Sequence, residues 1–239
     1  MEQGILLSES TEVDFMIHGV FSYELFGQTV WITTTHVCVL FVMLIIMGFC
    51  LAANRAMKKA EEVPKGFQNV VELIVEMLDG MIGGVMGKHA VTFRNYIGTI
   101  FIFILISNIS GLLGLRPPTA DYGVTFALGI ITFTLIHFNK FKHQKVSGVL
   151  KGLCDPWPIW APINIVSDFA VPISLSLRLF ANILSGTAIM ALIYALLSKV
   201  AIAWPAALHV YFDLFSGAIQ TYVFCMLTMT YITDACTTE

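Results

Sequence analysis

Apolar runs long enough to cross a bilayer alternate with short polar stretches along most of the chain. They fall at about 30–53, 95–115, 122–138, 159–197 and 201–232, within or beyond the roughly 17–25 residues that a membrane-spanning helix needs. The last two are too long to stand upright, so each is expected to tilt or bend, and together to form a long antiparallel pair. Pro162 and Pro172 mark the expected bends on the first of them. Between the first and second runs the period changes. Over 66–88, Val70, Val71, Ile74, Val75, Leu78, Ile82 and Val85 recur at helical spacing while Glu72, Glu76 and Asp79 take another face. That pattern predicts an amphipathic helix, too polar to span and expected to lie in the membrane plane. Residues 1–29 carry Glu2, Glu9, Glu12, Asp14 and Glu24 with no lysine or arginine, and read as a short exposed arm before a single membrane domain at 30–239. The expected fold is therefore an all-α polytopic membrane protein with about five embedded helices and one in-plane helix.

Composition agrees with the pattern. Hydrophobic residues make up 57% of the 239-residue chain and charged ones 12%, with a mean hydropathy of +0.81, whereas soluble domains are about 25% charged. The net charge of −3 says less than where the cations sit. Arg55, Lys58, Lys59 and Lys65 follow the first run, Lys88 and Arg94 precede the second, and Lys140, Lys142, Lys145 and Lys151 follow the third. By the positive-inside rule these ends are cytoplasmic, which puts Arg116, Lys199 and the N-terminus outside and the C-terminus inside. The first residues lack the basic start of a secretory signal, and no cleaved leader is expected. Five cysteines without paired or metal-type spacing read as free thiols.

One arginine breaks the pattern. In ISLSLRLFANILSG (173–186), Arg178 is the only basic residue between Lys151 and Lys199. Its guanidinium stays charged, and placing it at mid-bilayer costs at least about 2.5–3.5 kcal/mol. An arginine near a helix end can snorkel to the headgroups, but here both flanks are apolar. Ser174, Arg178, Asn182 and Ser185 fall at i, i+4, i+8 and i+11, one polar stripe on a helix. The following run has a second: His209, Asp213, Ser216 and Gln220 at i, i+4, i+7 and i+11. Asp213 must face water, find a partner or hold a proton, and Gln220 faces the first stripe if the two helices pack antiparallel. A membrane-buried charge of this kind marks an ion or substrate path. A secondary transporter or ion channel is the alternative reading, though no inverted repeat is visible. A hydrolase is disfavoured because Ser110 lacks a nucleophile-elbow context. Nucleotide chemistry lacks its GxxxxGK[ST] loop, and no cofactor, metal or nucleic acid is expected.

These residues also carry a family resemblance. SLSLRLFAN, followed by Gln220 in GAIQTYVFCMLTMTYI, resembles subunit a of the F-type ATP synthase, as do VPKGFQNVVE after the first run and PTAD opening the third. The resemblance covers nearly the whole chain. It implies a stator subunit whose two long tilted helices lie beside a ring of c subunits, with peripheral-stalk b subunits and the rest of the complex as further partners. It implies that Arg178 faces the ring's ion-carrying carboxylate, that Asn182 and Gln220 line the same interface, and that two aqueous half-channels couple H⁺ or Na⁺ flow to rotation. A bacterial plasma membrane is the implied location. The sequence departs from the family where Ala181 replaces a frequent glycine, Thr187 a common acidic residue or histidine, and Asp213 a usual glutamate or histidine. Asp213 and His209 are then the polar candidates for the outer path, and Asp168 the acidic candidate for another.

Overall fold

The structure, a computed structural model, describes residues 19–25, 28–58, 60, 63–113, 115–154, 157–196 and 204–237; positions 1–18 of the expected arm, and Lys199, lie outside them. Strands β1 (Gly19–Leu25) and β2 (Gln28–Thr33) pair antiparallel, with Tyr23 opposite Val30 and Leu25 opposite Gln28. The expected arm thus ends in a hairpin, whose second strand takes the first residues of the predicted span. Helix α1 (Thr34–Met57) follows directly. At the junction Nδ1 of His36 lies 2.7 Å from the Thr33 hydroxyl and 3.4 Å from the Thr33 N–H. Because the N–H can only donate, the imidazole nitrogen accepts, as a glutamate does in a capping box.

The amphipathic segment is helix α2 (Phe67–Met86), and glycines with positive φ stand at both its ends, Gly66 at 57° and Gly87 at 51°. Other residues adopt that backbone only at a cost. A 3-10 turn (Gly87–His89) then leads into α3 (Ala90–Ile109). Arg94 Nε reaches back 2.7 Å to Asp79 Oδ1 across this turn. Val71, Leu78, Ile82 and Met86 are buried, whereas Val70 and Val75 point outward despite their helical spacing. After 3-10 turns at Ser110–Leu113 and Pro118–Ala120, α4 (Tyr122–Leu153) runs through the predicted third span and on through the basic stretch beyond Phe138. Helix α5 (Ala161–Leu196) is a single helix with Pro172 inside it.

The last run is also helical but not uniform. It consists of α6 (Trp204–His209), a π-helical segment (Val210–Ser216) and α7 (Gly217–Cys236). Helices α2, α3, α5 and α7 share one core, in which Ile82, Ile97, Ile104, Leu179, Phe224 and Met229 are almost inaccessible. Helix α4 packs along α5 and α7.

The distribution of polarity is inverted relative to a soluble protein. Ser107, Asn108, Thr119, Thr125, Thr132, Ser176, Thr221 and Thr228 are buried, while Leu40, Leu44 and Met47 of α1, Leu73 of α2 and Leu192 of α5 are exposed. Lipid solvates such an exterior, and among the described residues five helices are long and apolar enough to cross a membrane. In lipid, helices gain little from hiding apolar surface from one another, so close packing and interhelical hydrogen bonds hold them together. The α4–α5 crossing depends on such an approach: a Cβ placed on Gly129 would lie 2.7 Å from the Pro172 carbonyl oxygen.

Candidate functional site

Helix α5 buries Leu175, Ser176, Leu179, Ile183 and Met190 against its neighbours. The opposite face presents Ser174, Arg178, Ala181 and Ser185, flanked by exposed Ile173, Leu177, Ile189 and Leu192. Arg178 is exposed in the isolated chain and has no hydrogen-bond or ion-pair partner among the described residues. Ser185 turns its hydroxyl back onto the Asn182 carbonyl at 3.0 Å. On the neighbouring helix Val210, Tyr211, Phe215, Ile219 and Tyr222 are exposed too. The arginine thus stands unpaired on an outward-facing apolar surface.

The two sequence stripes meet at one bond, in which Ser216 Oγ donates to Asn182 Oδ1 over 3.0 Å. Asn182 Nδ2 and Gln220 Nε2 are buried without partners among the described residues, leaving an unused amide donor on each helix beside this seam. His209 and Asp213 form a pair, with Nδ1 3.0 Å from Oδ2. They are not part of one straight stripe with Gln220, as a regular helix would make them. The π winding between Val210 and Ser216 bonds each turn one residue further along, so positions on its two sides are turned relative to a continuous α-helix. Such segments recur at functional sites.

Asp168 lies apart from these residues on α5, near the other end. Lys140 Nζ approaches its Oδ2 at 3.3 Å and His137 Nε2 at 3.7 Å. A cavity of about 570 Å³ lined by Phe133, His137, Ile165, Asp168 and Phe169 opens on one side of it. A smaller one of about 230 Å³, reaching Lys140, Tyr231 and Asp234, opens on another. Pro172 has no N–H, so the Asp168 carbonyl four residues earlier loses its helical donor.

Sequence reasoning missed a buried polar lock behind the site. Asn108 Nδ2 donates to the Gly217 carbonyl at 3.0 Å and lies 3.3 Å from Thr221 Oγ1. The Thr119 hydroxyl donates to Asn108 Oδ1 at 2.7 Å. One side chain thereby ties α3, the PTA turn and α7 together. A Cβ on Gly217 would lie 2.9 Å from that of Asn108, so glycine is what lets the amide reach the backbone. Asn108→Ala is expected to destabilise the folded chain in detergent by about 1–3 kcal/mol, measured by thermal unfolding. The figure exceeds the roughly 0.6 kcal/mol average of one interhelical hydrogen bond because three contacts are lost together. A melting curve identical to wild type would reject this role.

Comparison with known proteins bears on the same residues. Residues 36–233 match the family model described as ATP synthase A chain. The chain is 36% identical over 217 residues to the protein of Propionigenium modestum named ATP synthase subunit a, sodium ion specific, covering 84% of this chain and 73% of that one. It is 32% identical over 241 residues to ATP synthase subunit a of Limosilactobacillus fermentum, covering 92% and 98%. To ATP synthase subunit a 1 of Chlorobium luteolum it is 31% identical over 225 residues, covering 94% and 95%.

Proposed function

Because the chain belongs to the ATP synthase A chain family, and is thus an integral membrane subunit of an F-type ATP synthase, we propose how its polar residues couple ion flow to rotation. The observation that carries the proposal is Arg178: a permanent charge, unpaired, centred on an exposed apolar surface. Such a surface fits a rotor ring of small subunits whose ion-binding carboxylates pass one at a time. A fixed guanidinium favours the ionised carboxylate, so an ion-loaded rotor site releases its ion on arriving there. The same charge blocks direct ion passage between the two sides. Asn182 and Gln220 add neutral amide donors beside it.

An outer half-channel runs along the α5 and π-segment seam through His209 and Asp213. An inner one opens at the cavities around Asp168, beside the basic end of α4. With the basic ends cytoplasmic, the N-terminus lies outside, and α2 lies in the membrane plane. An ion entering one half-channel must ride the ring almost full circle to leave by the other, which couples transport to rotation. At 100 mV each charge carries about 2.3 kcal/mol, so several ions cross for each ATP formed. One relative is named for sodium; here the ion is H⁺ or Na⁺, selected chiefly in the rotor's own site.

The test is proximity. In the assembled complex, single cysteines at Ser174 and Ser185, on the Arg178 face, are expected to cross-link to a ring-forming subunit bearing a cysteine near its ion-binding carboxylate. A cysteine at buried Ile183 is expected not to. Cross-links from Ile183 alone would overturn the assignment of this face to the rotor.

A further inference from the structure

The outer path as read so far contains two polar side chains, and the structure adds a third. Tyr194, near the end of α5, places its hydroxyl 3.1 Å from Nε2 of His209, whose Nδ1 lies 3.0 Å from Asp213 Oδ2. Phenol, imidazole and carboxylate form one unbroken chain across the seam. Access narrows along it: Tyr194 is exposed, and the side chains of His209 and Asp213 are 37% and 19% exposed. The 3-10 turn closes the far side of Asp213, since a Cβ on Gly111 would stand 3.4 Å from its Cγ.

His209 and Asp213 sit on the same helical stretch, so their mutual bond does not fix them to α5. Tyr194 does. With Asp213 ionised, the imidazole must donate from Nδ1, which leaves Nε2 of a neutral ring as an acceptor for the phenol O–H. When the ring is protonated, Nε2–H donates to the same phenol oxygen. A hydroxyl serves both states, and the ring and carboxylate hold their places through a protonation cycle. Among the described residues, the other elements packed on the π segment give His209 and Asp213 no further hydrogen-bond or ion-pair partner. Helix α5 carries Arg178 about four and a half turns from Tyr194, and Asp168 still further along beside Lys140. The charged residues of α3 and α7, Arg94 and Asp234, lie at their opposite ends. The 3-10 turn offers the Gly111 backbone, and Arg116, in the loop beyond it, has an interaction of its own.

We propose that Tyr194 is a positioning residue of the outer ion path: acting through His209, it holds Asp213 in place as the carboxylate that receives the incoming ion, and so sets the outer pH at which uptake occurs. This rests on the half-channel reading above. The experiment uses vesicles carrying the whole complex with Tyr194→Phe, His209→Ala or both, and follows ATP synthesis against outer pH at fixed Na⁺. Tyr194→Phe is expected to assemble, to synthesise ATP about 3-fold more slowly and to move the pH midpoint by about half a unit, because the interhelical partner that served both ring states is gone. In the His209→Ala background it is expected to add nothing, since its effect passes through that ring.

An unchanged midpoint in Tyr194→Phe, or losses that simply add in the double variant, would overturn the proposal. Failure of Tyr194→Phe to assemble would assign the residue to packing and overturn it equally. An Arg178→Ala complex measured alongside separates the two levels. If it still couples, the half-channel reading falls; if it does not, a silent Tyr194→Phe removes the positioning role alone.

Discussion

Arg178→Ala is expected to abolish ion-coupled ATP synthesis while the complex still assembles, and Arg178→Lys to leave coupling impaired. The side chain is exposed in the isolated chain and unpaired among the described residues, so its removal leaves no orphaned partner within the fold. Removing a charge from a membrane-facing surface relieves a cost, and the buried face of α5, with Leu175, Leu179 and Ile183, is untouched. The mechanism has no such reserve, because nothing else on this face favours the ionised rotor carboxylate or bars ions from crossing directly. Lysine keeps a charge but loses the broad planar donor, and its ammonium deprotonates far more readily when desolvated. ATP synthesis and passive ion leak in vesicles carrying the assembled variants decide the matter. Near-normal coupled synthesis by Arg178→Ala would reject the proposed mechanism, and failure to assemble would make the arginine a structural residue.

The second large effect is expected far from any charge. Gly129→Ala should cost about 1–3 kcal/mol by overpacking, and Gly129→Leu should keep the chain from accumulating in the membrane. The methyl group would meet the Pro172 carbonyl at 2.7 Å, and that oxygen belongs to the backbone of α5, which cannot swing aside as a side chain can. Relief requires α5 to move away from α4. Arg178 stands less than two turns further along the same helix, so the displacement is carried to the site, and a misplacement on the order of 1 Å can lower a rate about 100-fold. Gly84→Ala is the matched control, because nothing lies within 4 Å of its added Cβ. Thermal unfolding in detergent together with ATP synthesis rates tests both variants. Wild-type stability and activity in Gly129→Ala would contradict the close approach.

What could be read beforehand followed from how strongly each signal stands above its surroundings. The apolar runs point to about five embedded helices because lipid imposes their length, and five helices among the described residues are long and apolar enough to cross; a lone arginine between Lys151 and Lys199 is conspicuous without any structure. Boundaries were less legible. The stretch 30–33 is mostly apolar and β-branched and reads as the start of the first run, while its pairing with β1 depends on residues that the local pattern does not weigh. The lysines after Phe138 mark the end of the third apolar run but not of its helix, because lysine is a good helix former and α4 continues to Leu153. Asn108 was visible as a polar residue, but its contacts with Gly217 and Thr221 are 109 and 113 residues distant. Neither Gly217 nor Gly129 carries any mark of the backbone approach it permits. Tyr194 lies outside both polar stripes, and only the fold shows what its hydroxyl meets.

The π segment changes how the length of this chain should be understood. Its seven residues, Val210–Ser216, hold one more than regular winding would use, so the final helix contains what amounts to a one-residue insertion absorbed without moving either flank. Loss of any one of them other than Asp213 would restore regular winding, leave α7 seated on Asn108 and the core, and turn Asp213 by about 100° relative to one of its two sides. A single-codon gain or loss in this stretch is therefore a route by which natural variation re-aims one carboxylate while the helix pair around it stays as built. Gaps in alignments of this region belong between 210 and 216, and placing them elsewhere would equate residues that face different directions.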